Sequence, residues 1–249
     1  MLTNPPALHT DDRHSAGFAG LYAEVRKKEQ WLSTDAEVAV LPEADALHPH
    51  YKEWCMRKRS CKRLLRYLMK RKTKPMALLE VGCGNGWLSR RLADIPFCQV
   101  TGIDVNGTEL NQAMRVFGKQ PNLRFIHGDI LHLAAMQKRY DVIVYAASVQ
   151  YFPELKSTLR FSLLHLLHRD GELHILDSPL YRQENIEKAR QKSRAYYHEL
   201  GFPDMTGHYF HHLLDDLDSF NYKILYDPAS LLNGIFTKSN PFYWIRVKN

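Results

Sequence analysis

Glu80-Val81-Gly82-Cys83-Gly84-Asn85-Gly86 closes the apolar run that starts at Met76 and leads into a helical pattern at Trp87. An apolar run of six bounded by glycines predicts a buried strand. Three glycines at alternate positions permit a tight turn and let a ligand approach the backbone. The helix that follows turns its unpaired N–H groups toward that ligand. The spacing is GxGxG and not the GxGxxG of a dinucleotide pyrophosphate loop.

Outward from this loop the pattern alternates. Strands are predicted over 99–104, 123–127, 140–146 and 172–177, and helices over 87–93, 107–117, 130–138 and 154–168. Alternation with short connections implies parallel βαβ units with right-handed crossovers. The turn at Arg169-Asp170-Gly171 is read as the entry to the fifth strand. Beyond it the alternation breaks. A charged helix is expected over 182–200 and an aromatic, His-rich stretch over 202–220, followed by two strands over 222–226 and 242–247. The expected organisation is an N-terminal helical extension over 1–73 and a core domain over 74–249, with a cap inserted at about 178–220. In the extension, short helices are expected around 20–31, and a longer one over 51–72 that Pro75 ends.

Two acids stand where ligands of open α/β sheets bind, beyond the carboxyl ends of strands. Asp104 ends the second strand, 18 residues after Gly86, and suits the two hydroxyls of a ribose. Asp129 and Ile130 follow the third strand, where a carboxylate meets an adenine amino group and an isoleucine packs on the ring. Glu80 faces a ligand ammonium directly or through water.

In these motifs the sequence resembles the class I S-adenosylmethionine-dependent methyltransferases of the small-molecule type. The acidic residue plus GxGxG, Asp104, Asp129 and the segment 145–152 occur in the family's order, over about residues 74–177. The resemblance implies a three-layer Rossmann-like α/β fold. Its sheet has seven mostly parallel strands with an antiparallel last strand. It also implies S-adenosylmethionine as cofactor, held by Glu80, Gly82, Cys83, Gly84, Asn85, Gly86, Asp104, Val105, Asp129, Ile130, Tyr145 and Ala146. Relatives with a histidine pair after strand four differ from this chain, which has Gln150 and Tyr151 there.

The chemistry is an in-line displacement on an activated methyl group, so the protein's part is positioning and exclusion of water. Candidates for the reaction face are Tyr145, Gln150, Tyr151, Asp177 and His211. On a helix His208, His211 and His212 would share a face, but no carboxylate or cysteine completes a metal set, and no metal is expected. Tyr22, Tyr51 and Trp54 are candidates to close the cofactor pocket.

Composition limits the rest. With 249 residues, 45% apolar and 24% charged, the chain is an ordinary globular one. Ten basic residues and no acid lie between Trp54 and Leu79, so the remainder, +7 less those ten, carries −3. Four cysteines without CxxC spacing read as reduced thiols, and no apolar run approaches the length of a membrane span, so a cytoplasmic location is expected. The expected acceptor is a small organic or lipid-like molecule. The basic helix over 57–74 opens two alternatives: a nucleic-acid methyltransferase, and a cofactor-binding protein without transferase activity that contacts a membrane surface.

Overall fold

In a computed structural model, residues 12–70, 75–230 and 240–249 are described. Three helices come first: α1 (Asp12–Lys28), α2 (Asp35–Val40) and α3 (Tyr51–Lys70). The alternating core follows as β1 (Met76–Val81), α4 (Trp87–Leu92), β2 (Cys98–Asp104), α5 (Gly107–Phe117), β3 (Leu123–His127), α6 (Ile130–Ala135), β4 (Tyr140–Ala146), α7 (Leu155–Phe161) and β5 (Leu167–Leu176). The chain then runs through β6 (Leu180–Tyr181), α8 (Gln183–Leu200), β7 (His212–Leu213), β8 (Asn221–Tyr226) and β9 (Trp244–Lys248).

The main sheet has the order β3-β2-β1-β4-β5-β9-β8. The first five strands pair in parallel, and β9 runs antiparallel to both β5 and β8. The order reverses direction at β1 and β4, which creates the crevice where such sheets bind ligands.

Period-two alternation in the central strands explains the layering. Leu79, Ile143 and Tyr145 point into one apolar layer with Leu155 and Leu159 of α7. Leu78, Val142 and Val144 point into the other with Leu64 and Leu68 of α3, Leu88 and Leu92 of α4, and Phe117 of α5. Strands buried on both faces need no polar positions, which is why they read as continuous apolar runs.

Three expectations change. The helix predicted over 154–168 stays α-helical only to Phe161, widens into a π turn over 162–166, and gives way to β5 at Leu167. Tyr140 pairs with Leu167 and Val142 with Glu172, so Arg169-Asp170-Gly171 is a bulge inside the strand rather than its entry turn. The helix expected to reach residue 138 ends at Ala135. The segment after β5 also forms a two-stranded parallel sheet from β6 and β7, which its short, irregular sequence does not announce.

Cys61, Leu64 and Leu68 form a buried apolar row on α3, and Lys62, Arg66 and Lys70 lie exposed. Lys58 is taken by an ion pair with Glu43. The end of the expected basic helix, 71–74, lies outside the described residues. Among the described residues no helix is long and apolar enough to cross a membrane. Leu79 is fully buried in the central strand. Leu79→Ala is expected to cost about 2–5 kcal/mol in urea unfolding, and a loss below about 1 kcal/mol would contradict this packing.

Candidate functional site

A cavity of about 300 Å³ opens at the carboxyl ends of β1, β2 and β4. Its floor is the loop after β1. Gly82 and Cys83 donate their backbone N–H groups to the Ile103 carbonyl at 2.9 and 3.1 Å, which binds the loop to β2. Gly82 has φ +75°, and a Cβ there would lie 2.6 Å from the Cβ of Ser148. A Cβ on Gly86 would lie 2.6 Å from the Phe125 ring, so that glycine serves packing and does not line the cavity. The Gly86 expectation is corrected accordingly.

Asp104 is the hinge of this wall. Its Oδ2 accepts the Gly84 N–H at 2.7 Å and its Oδ1 the Asn106 N–H at 2.7 Å. One carboxylate thus holds the glycine loop against the start of α5, with lone pairs still directed at the cavity it lines. Asp129 lines the cavity too, while its Oδ1 caps α6 by accepting the Leu131 and His132 N–H groups at 3.0 and 2.9 Å. Glu80, Cys83, Gly84, Asn85, Val105, Ile130 and Ala146 also line it, so most of the predicted cofactor set meets in one space.

Burial sets the electrostatics. The Glu80 carboxyl, hydrogen-bonded by the Ser89 hydroxyl, is pushed up to about 8 by desolvation. Glu109 of α5, which sequence reasoning missed, is raised to about 7 by burial against the opposing pull of Arg26. Burial also raises Asp104 and Asp177. Asp177 lines the cavity at φ +52°, with its Oδ1 accepting from Ser60 at 2.6 Å and Asn240 at 3.0 Å.

The reaction-face candidates separate. Gln150 and Tyr151 line the cavity. Tyr145 does not: its strand position turns it into the α7 layer, where its hydroxyl meets Ser162 Oγ at 2.7 Å. His211 points away and hydrogen-bonds Ser193 at 2.9 Å. His212 is buried against the Val149 carbonyl, and His208 alone of the three lines the cavity. The three histidines share no face because His208 ends a 3-10 turn and His212 begins a strand. Among the described residues no three His, Cys, Asp or Glu side chains converge as a metal site.

The outer half comes from elements remote in sequence. Phe18 and Tyr22 of α1 contact Tyr151 at ring distances of 5.6 and 5.3 Å. With Tyr197, Met205 and Tyr209 they form a small apolar cluster that clasps α1 to the segment after β5. Trp31, Trp54, Arg26, Arg57, His208 and Phe210 complete the wall, while Tyr51 lies outside it. Of these, Tyr22, Trp54, Tyr151 and His208 were named from sequence; the rest carry no local signal.

Comparison with known proteins agrees with this geometry. The family described as Methyltransferase domain matches residues 78–171. A malonyl-(acyl-carrier protein) O-methyltransferase from Halalkalibacterium halodurans is 35% identical over 92 residues, 35% of this chain and 34% of that protein. An uncharacterized methyltransferase from Mycobacterium tuberculosis is 32% identical over 83 residues, 33% of this chain and 41% of that one. The matches therefore span about a third to two-fifths of these relatives. Among solved structures, magnesium protoporphyrin IX methyltransferase from Synechocystis with bound SAH aligns over 84% of this chain and 91% of that one, with TM-score 0.57 and 16% identity. A plantazolicin methyltransferase complex with SAH aligns over 95% and 99%, with TM-score 0.55 and 19% identity. Residues 78–171 thus match a methyltransferase domain, and the fold is shared with methyltransferase structures that hold SAH.

Glu80 yields a pH prediction. Between its ordinary value of 4.5 and its folded value of about 8, the folded chain retains a proton that the unfolded chain has released. Stability therefore falls as pH rises across that window, by a few kcal/mol at about 1.4 kcal/mol per unit. Glu80→Gln is expected to reduce the change in urea midpoint between about pH 5 and about pH 8, leaving the shares of Glu109, Asp104 and Asp177. An unchanged slope would remove Glu80 as its source.

Proposed function

We propose that this protein is an enzyme that transfers a methyl group from S-adenosylmethionine to a small organic or lipid-like acceptor held in the described cavity. The observation that carries the reading is the meeting, in one cavity, of the Asp104-anchored glycine loop and an aromatic outer half. The residues fit the cofactor. Glycine amides and the start of α4 would hold its tail, the Asp104 carboxylate suits vicinal hydroxyls, and Asp129 with Ile130 suits an adenine. Buried donors and acceptors without partners (Trp54 Nε1, Arg26 Nε and Gln150 Oε1) line the same space, as an absent polar ligand would leave them.

When bound, the cofactor supplies a sulfonium methyl carbon already activated toward a nucleophile. The chain's task is then orientation and dryness. Phe18, Tyr22, Tyr151 and Phe210 supply apolar surface that excludes water and suits an acceptor with an apolar body. Asp177, fixed by Ser60 and Asn240, is the carboxylate placed to receive a proton from an acceptor that must lose one. The name of one relative, a malonyl-(acyl-carrier protein) O-methyltransferase, supports an acceptor that is not nucleic acid. The exposed Lys62, Arg66 and Lys70 line no part of the cavity.

Calorimetry tests the cofactor site: Asp104→Ala is expected to weaken S-adenosylmethionine binding by about tenfold or more, since a charge-assisted hydrogen bond contributes about 1.5–3 kcal/mol. Equal affinities would overturn the ribose role. Incubation with a metabolite and lipid extract should yield a product heavier by one methyl group in mass spectrometry. Replacing Lys58, Lys62, Arg66 and Lys70 together by Gln is expected to leave that turnover in place. Its loss, with folding intact, would favour a nucleic-acid or membrane partner for α3.

A further inference from the structure

β4 and β5 end side by side at the cavity, and both leave the sheet through a left-handed residue. Their last paired residues are Ala146 and Leu176. The next residues, Ala147 and Asp177, have φ +53° and +52°, and the Ala147 N–H still donates to the Leu176 carbonyl at 3.0 Å. Holding a non-glycine residue there costs on the order of 1–3 kcal/mol, and such strain gathers where side chains are aimed at a ligand.

What the two turns bring together is a pair of hydrogen-bond acceptors. Asp177 lines the cavity, and its Oδ1 already takes the Ser60 hydroxyl at 2.6 Å and the Asn240 amide at 3.0 Å, so Oδ2 is left for a ligand. Gln150 lines it as well and is 6% exposed. Its Nε2 donates to the Ala147 carbonyl at 2.7 Å, which fixes the orientation of the amide, and its Oε1 is buried without a partner. An ionised carboxylate and an amide oxygen accept and cannot donate, so a group that satisfies both is a donor with at least two hydrogens.

We propose that the methyl acceptor is an amine, its nitrogen held between Asp177 Oδ2 and Gln150 Oε1. The inference rests on the methyl-transfer reading and narrows its acceptor. An ammonium brings three N–H donors and one positive charge, whereas a hydroxyl brings one donor and a carboxylate none. Charge agrees: five carboxyl groups (Glu80, Asp104, Glu109, Asp129 and Asp177) and two guanidinium groups line the cavity. Of the two cations, Arg57 faces Asp177 and is paired with Glu53 at 2.8 Å. The rings of Tyr151, Phe152 and Phe210 supply apolar and π surface that suits an organic cation. In the reaction the ammonium gives one proton to Asp177 and becomes the free amine. The nitrogen lone pair then forms the bond to the methyl carbon as the carbon–sulfur bond breaks, its electron pair staying on sulfur. The products are the N-methylated ammonium, the neutral thioether and one proton, which Asp177 releases to water.

Calorimetry on the whole chain saturated with S-adenosylhomocysteine compares three head groups on two bodies. The probes are hexylamine and 2-phenylethylamine, 1-hexanol and 2-phenylethanol, and hexanoate and phenylacetate. The amines are expected to bind, and the alcohols and acids to bind about tenfold more weakly or not at all. Asp177→Asn is expected to weaken the amines about tenfold, and Gln150→Met, which keeps the length of the side chain, several-fold. With S-adenosylmethionine in place of S-adenosylhomocysteine, the bound amine should gain one methyl group in mass spectrometry, and Asp177→Asn should slow that gain by more than it weakens binding. The proposal is overturned if neither amine binds, if alcohols or acids bind as tightly, or if both variants leave amine affinity unchanged. It is equally overturned if the variants weaken S-adenosylhomocysteine relative to 5′-methylthioadenosine, which lacks the amino-acid tail, because the two oxygens then hold the cofactor's own ammonium. Should Asp177→Asn fail to fold by circular dichroism, Gln150→Met carries the test alone. Failure of S-adenosylhomocysteine to bind the wild type would sink the cofactor reading separately, and the amines titrated into the free chain then decide this one.

Discussion

The Asp104 carboxylate, gripping the Gly84 and Asn106 amides from one position at the end of β2, is the constraint on which the cavity depends. It joins the turn after β1 to the turn after β2 across neighbouring parallel strands, whose backbones are already in register from Met76–Cys98 to Val81–Ile103. Without that anion the two loops would present unpaired amides to each other. With it, the glycine loop is fixed in its left-handed conformation against Ser148, and the start of α5 brings Glu109 to the cavity edge. The strand order reverses at this point, so no helix covers it from the sheet itself.

The cover comes from both flanks of the core. α1 and the segment after β5 meet through Phe18, Tyr22, Tyr151, Tyr197 and Tyr209, and this aromatic seam narrows the open crevice. Charge follows the same division. Acids cluster on the sheet side, at Glu80, Asp104, Asp129 and Asp177, while Arg26 and Arg57 come from the N-terminal helices. Burial on that floor raises both Glu80 and Glu109. A ligand with a cationic centre, neutral rings and an anionic end is complementary to such a space along its whole length.

How much of this was legible depends on the range of the interactions. β1, α5, β3 and β4 were bounded correctly because each is a run whose period is set by its own burial. The fifth strand was misread because its start pairs with Tyr140 across a four-residue bulge, a long-range choice that the local turn signal Asp170-Gly171 concealed. Tyr145 looked like a site residue by its place near the carboxyl end of the strand. Strand alternation instead turned it into the opposite layer, onto Ser162. The histidine trio dispersed because a helix was assumed where the chain forms a 3-10 turn and a short strand.

The sequence by itself determined the alternating core, the glycine loop and the acids at strand ends, since these rest on contacts between residues close in the chain and on backbone conformations few residues allow. Only the tertiary structure decided which side chains close the pocket and which of them lack a partner. Arg26, Trp31 and Phe210 carry no local pattern. Their meeting follows from α1 and α3 packing over the sheet and from the segment after β5 folding back across it. That packing is fixed by apolar burial summed over the whole molecule, which no short stretch of sequence contains.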